Sequence, residues 1–207
     1  MITNSSSQSG FALLLTILII GVVLAVTLTM LSVSIKQIQL TADSRQSEIA
    51  FHAANAGLEC VRHWRRSLSD LYEEGNSSVG INCFGESATP AQLVEDLMGN
   101  TNAGSATIDE DDSSAYKYFY QISWGELGAR RCSQLRFIIL NNSSDSTEDL
   151  ELSNVTDFIA GYPRDVATCS PGGRCTIFSS QGYSSACPAS GGNFALGTIQ
   201  RDILVEF

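Results

Sequence analysis

The sequence predicts an α+β protein: a long N-terminal α-helix, its apolar first half membrane-spanning, packed against a C-terminal antiparallel β-sheet head. Three observations carry this. From Phe11 to Ile35 there are 25 consecutive residues without a charge. From Lys36 to Tyr72 the chain has no proline and one glycine, and its apolar residues recur at helical spacing. Beyond Ala115, four segments read as strands, the first and last alternating apolar with polar, and no helical pattern separates successive pairs.

The uncharged run, "FALLLTILIIGVVLAVTLTMLSVSI", would extend roughly 37 Å as a helix, enough to cross a hydrocarbon core about 30 Å thick. Leu13 to Val26 is apolar all round, which excludes the one-sided stripe of a surface helix. The apolar core of a removed signal peptide is shorter, about 7–15 residues, and ends in an A-x-A-like site that this sequence lacks. A retained membrane helix is therefore expected.

After Ile35 the helix is expected to continue to about Tyr72. Ile38, Ala42, Ile49, Ala53, Ala56 and Cys60 fall near one face, with Ala50, Ala54, Val61, Trp64, Leu68 and Leu71 beside them. A helix from Phe11 to Tyr72 would be roughly 90 Å long, more than a domain of this size covers. Half of it needs another environment, either membrane or a bundle of neighbouring helices.

Gly10 followed by Phe11 at the head of this helix, together with "AFHAANAGLE" from Ala50 to Glu59, resembles the N-terminal region of type IV pilins, particularly PilX-like minor pilins and pseudopilins. The likeness covers Gly10 to Trp64, roughly a quarter of the chain. It implies a leader peptide at 1–10, cleaved by a prepilin peptidase between Gly10 and Phe11, with Phe11 then N-methylated. It further implies a transmembrane and filament-core helix at 11–35, an amphipathic continuation at 36–72, and a disulfide-containing globular head at 73–207. The implied partners are the peptidase, membrane lipid before assembly, and other pilin subunits through the N-terminal helix. The implied location is the inner membrane, single-pass with the head extracytoplasmic, and then an extracellular filament of a type IV pilus or a type II secretion-like system.

Two departures from the family pattern shape that expectation. The usual pilin glutamate would fall at Leu15, which argues for a minor rather than a major subunit. The leader "MITNSSSQSG" lacks a basic residue. The alternative, sharing every compositional feature, is an unprocessed single-span anchor bearing an extracytoplasmic binding or sensor module.

In the head, 73–115 reads as an irregular connection rich in Gly, Ser, Asn and acid, interrupted by a short helix from Pro90 to Met98 with Thr89 as N-cap and Gln92 completing a capping box. Strands are expected in "YKYFYQISW" (116–124), "QLRFIIL" (134–140), "CTIFSSQGY" (175–183) and "GTIQRDILVEF" (197–207). Their apolar face is expected to pack on the alanine stripe of the helix. The longest connection, 141–173, reads as an exposed variable loop.

Charge and cysteines then limit the function classes. The formal net charge of −10 disfavours general nucleic-acid binding. The one basic cluster, Arg62, His63, Arg65 and Arg66, reads as a solvated helix face. Cys60, Cys83, Cys132, Cys169, Cys175 and Cys187 form an even set without a C-x-x-C pair, which favours disulfides in an oxidising space over a zinc site. Six cysteines allow 15 pairings. Cys60 is expected to tie to Cys83, and "SPGGR" between Cys169 and Cys175 fits a bridged loop. Against an exported head, Lys36 and Arg45 flank the span on its C-terminal side, which the positive-inside rule places in the cytoplasm.

Catalytic and metal signals are weak. His52 and His63 stand eleven residues apart, three helical turns, too far to share a metal. Asp109 to Asp112 lacks the alternating spacing of a calcium loop and reads as a solvated acidic run. "GARRC" (128–132) reads as a turn before a strand. Asn76, Asn141, Asn142 and Asn154 head N-x-[ST] sequons. No Ser-His-Asp order, phosphate loop or H-E-x-x-H occurs. No enzyme activity, metal or cofactor is expected.

Overall fold

The structure, a computed structural model, describes residues 8–76, 78–90, 114–188 and 192–207, with side chains from Phe11 onward. The chain divides into two units at Arg45 and Gln46. Helix α1, Gln8–Ser67, begins in the first unit and ends in the second. Then follow α2 (Ser69–Glu73), β1 (Ile81–Cys83), β2 (Glu86–Ala88), β3 (Ser114–Trp124), β4 (Arg131–Asn141), β5 (Leu150–Leu152), α3 (Val155–Phe158), β6 (Ala167–Cys169), β7 (Arg174–Tyr183) and β8 (Gln200–Glu206).

Four strands form one sheet in the order β3-β4-β7-β8, every pair antiparallel. Its helix-facing side changes from small to large residues along the strands. One cross-strand row is Ile122, Ser133, Gly182 and Arg201; the next is Tyr120, Leu135, Ser180 and Ile203; the third is Tyr118, Phe137, Phe178 and Val205. The helix complements this gradient with buried Ala50, Ala53, Ala54 and Gly57, followed by Leu58 and Val61. Its backbone is fixed at the small end, where the Ser133 hydroxyl donates to the Ala53 carbonyl at 2.8 Å and the Ser180 hydroxyl to the Ala54 carbonyl at 2.6 Å. The buried stripe begins later than its 3.6-residue period suggests: Ile38 and Ala42 are exposed, because the sheet meets the helix only from about Gln46 onward.

The helix also ends earlier than expected. Leu68 leaves helical dihedrals (φ −122°, ψ 36°) and α2 restarts at Ser69. The break brings Tyr72 into the core, where its hydroxyl meets that of Tyr120 at 3.1 Å and its ring lies edge-on to Tyr118 at 4.9 Å.

Two expectations about connections are corrected. The stretch after Glu73 contains the β1–β2 hairpin, whose central residues Phe84 and Gly85 both have positive φ (60° and 81°), the geometry of a type I′ turn. The 141–173 segment is not an exposed loop. Its Leu150, Leu152, Val155, Phe158, Ile159, Tyr162, Ala167 and Cys169 pack with Ala115, Phe119, Ile138, Leu140 and Ile177 on the sheet's second face. The buried Asn142 amide ties it down by donating to the carbonyls of Glu148 and Cys169 at 3.0 and 2.8 Å. The expected helix at Pro90–Met98 and the acidic run Asp109–Asp112 lie outside the described residues, apart from Pro90 itself, which is not helical.

Candidate functional site

From Phe11 to Ile35 every side chain is exposed, Phe11 at 72% and Leu18 at 61%, and this is the one helix among the described residues long and apolar enough to cross a membrane. Its five hydroxyl residues do not depend on water. Thr16, Thr27, Thr29, Ser32 and Ser34 each donate to a carbonyl three or four residues back, at 2.7–3.0 Å. A hydroxyl moved into hydrocarbon without a partner costs several kcal/mol, so self-satisfied hydroxyls suit this surface to an apolar environment. Gly21 has no neighbour within 4 Å of where a Cβ would stand, so nothing among the described residues requires a glycine there. Gly10 and Phe11 both lie in helical backbone, and Leu15 is exposed among its apolar neighbours.

The six cysteines form three disulfides: Cys60 with Cys83, Cys132 with Cys187, and Cys169 with Cys175. The first ties α1 to β1, reinforced by the Trp64 indole N–H donating to the Asn82 carbonyl at 2.9 Å. The second links β4 to the connection before β8. The third closes the turn between β6 and β7.

The histidines are separate. His52 lies on the exposed face, 3.7 Å from Glu48, and His63 meets the Trp64 ring edge-on at 5.5 Å. Among the described residues, no three His, Cys, Asp or Glu side chains converge as a metal site would require. Among the sequons, Asn142 is buried and Asn154 sits in left-handed backbone (φ 58°) at the start of α3.

The basic cluster is a solvated face only in part: His63 and Arg66 are exposed, but Arg65 is not. Arg65 folds inward to Glu73 at 2.9 Å, the two side chains being only 12% and 11% exposed, and the second Glu73 oxygen takes Arg174 at 2.9 Å. Sequence reading missed this triad, since nothing in the spacing links Arg174 to a carboxylate a hundred residues earlier. The "GARRC" turn instead places Arg130 against Glu86 at 3.0 Å and Arg131 over the Trp124 ring. The tyrosines of the core resist ionisation: burial raises Tyr72, Tyr118 and Tyr120 above the ordinary phenol value, and the neighbouring phenols raise Tyr118 and Tyr120 further.

Comparison of the chain with protein-family models, with curated proteins and with solved structures finds no match.

Proposed function

We propose that the chain is a non-enzymatic minor pilin or pseudopilin: inserted as a single-span membrane protein, cut between Gly10 and Phe11, N-methylated at Phe11, and drawn into a type IV pilus-like or type II secretion-like filament. The observation that supports this most is the fully exposed, uncharged helical surface from Phe11 to Ile35, directly behind Gly10 and continuous in sequence with the helix that carries the sheet. Moving that surface from lipid to a core of like helices costs little hydrophobic free energy, so packing governs assembly. Leu15 in place of a carboxylate removes a charge that would need a partner in that core.

The absence of a basic residue in "MITNSSSQSG" favours a second reading, an unprocessed anchor for an extracytoplasmic binding module. N-terminal sequencing with intact-mass analysis of protein from its native host separates the two. A chain beginning at Phe11 and carrying an added methyl group is expected; a retained Met1 refutes processing. A Leu18→Asp substitution should abolish insertion or assembly, and normal incorporation of that variant into filaments counts against the model.

A further inference from the structure

A cleft of about 230 Å³ opens beside the last turns of α1, lined by Arg62, Arg65, Arg66, Thr176, Phe178 and Phe207. Its charge is unbalanced. Glu73 is largely shielded from solvent and committed to both Arg65 and Arg174. Arg62 pairs with Glu59 at 3.1 Å on the rim, and Arg66 is exposed with no acidic partner among the described residues. Three arginines therefore line the cleft with Glu59 and Glu73 as their acidic partners, and Glu73 is shared with Arg174 outside it, in a chain whose net charge is −10. The Arg65 Nε is also buried without a hydrogen-bond acceptor. The remaining walls are aromatic: the Arg62 guanidinium lies 4.8 Å over the Phe207 ring, and that ring meets buried Phe178 edge-on.

A ligand that fits must join an anion to an apolar group. A free oxyanion would engage the guanidinium groups and leave the exposed Phe207 ring wet, whereas a carboxylate on a peptide with an apolar neighbour covers both. Planar guanidinium groups match a carboxylate bidentately. The volume is below the roughly 300–1,000 Å³ of small-molecule pockets, which suits one or two side chains. A second copy of so acidic a chain is repelled at long range. We propose that this cleft is a docking site for an acidic, apolar-flanked peptide segment of a different protein, held by Arg62 and Arg66 above the Phe178–Phe207 wall. The proposal stands whether or not the N-terminus is processed.

The test titrates the full chain in detergent micelles with acetyl-Glu-Leu-Glu-Phe-amide, followed calorimetrically. Binding should fall about tenfold for the Gln-Leu-Gln-Phe analogue and about tenfold in Arg66→Ala and Arg62→Ala, less in Arg66→Lys, and not at all in Arg131→Ala. Arg66 is exposed, so its variants keep the head folded, which the near-ultraviolet circular dichroism signal checks. No binding, equal binding in the arginine-to-alanine variants, or phosphate binding as tightly as the peptide would overturn the site. Tighter binding of a peptide with the sequence of residues 143–153 of this chain would overturn its assignment to a different protein.

Discussion

Gly182 lies near the C-terminal end of β7 where the helix backbone rests on the strand, and Gly182→Ala tests how the head is closed. A methyl group at this position would run into the Ala50 carbonyl oxygen and the Ala54 amide nitrogen, and would stand 2.8 Å from the Ala54 Cα. These are backbone atoms, so no rotamer change relieves the clash and the helix must lift. Overpacking of this kind costs about 1–3 kcal/mol. Lifting also stretches the hydroxyl bonds from Ser133 to Ala53 and from Ser180 to Ala54, each contributing about 1 kcal/mol net. The expected loss is about 3–5 kcal/mol. Gly57→Ala, on the helix side of the same contact, is the control. Its Cβ would meet only side-chain atoms, Leu135 Cδ2 at 2.8 Å and Ser133 Cβ and Ser180 Oγ at 3.0 Å, and alanine regains about 1 kcal/mol of helix propensity. Urea unfolding of the full chain in detergent micelles, followed by the fluorescence of Trp64 and Trp124, measures both. A Gly182→Ala loss below about 1 kcal/mol, or no larger than that of Gly57→Ala, would refute the account of a backbone-to-backbone seat.

The disulfides should rank by the chain length they close. Separations of 6, 23 and 55 residues correspond to about 2.2, 3.4 and 4.2 kcal/mol of denatured-state entropy, so paired Cys→Ala replacement should destabilise least at Cys169–Cys175 and most at Cys132–Cys187, read as shifts in urea midpoint. The core phenols set an alkaline limit. Tyr72, Tyr118 and Tyr120 have folded pKa values above the unfolded value of about 10, so their contribution is complete below pH 10 and is lost as the pH rises toward the folded values. Absorbance at the phenolate band should accordingly show these three ionising only together with unfolding; independent titration of all the tyrosines in the folded protein would contradict it.

Strands β3 and β8 were legible because each alternates at period two, and the helix because no proline interrupts it; β4 and β7, whose burial does not alternate, were read as short apolar runs between turns. The β1–β2 hairpin was not, since a type I′ turn normally advertises itself by Asn-Gly or Asp-Gly and here uses Phe84-Gly85. The 141–173 segment looked like loop because its buried residues come in strands of three and a helix of four, too short for periodicity to register. Its role is visible only once Phe119, Ile138 and Ile177 are seen to leave the sheet's second face apolar. The arginine cleft was hidden for another reason. Local composition described Arg62 to Arg66 correctly as cationic, but whether a cation is solvated depends on Glu73 and Arg174, which only the folded head brings together.

The two units are stabilised by different means. Every buried apolar residue described lies at Ala50 or beyond, so the head closes its two cores without help from the first half of α1. That half instead presents seventeen large apolar side chains from Phe11 to Ile35, all exposed. At about 1.5 kcal/mol or more for burying each, the surface amounts to roughly 25 kcal/mol of unrealised transfer free energy, more than the whole stability of a typical domain. Exposure of this surface to water is therefore costly, and the proposed function gives it lipid or other helices instead. Since the segment has no charge, electrostatic pairing within it cannot select between lipid and a protein neighbour. The choice falls to close packing, to which a helix contributes where it is narrow, as at Gly21, whose missing side chain no described residue exploits.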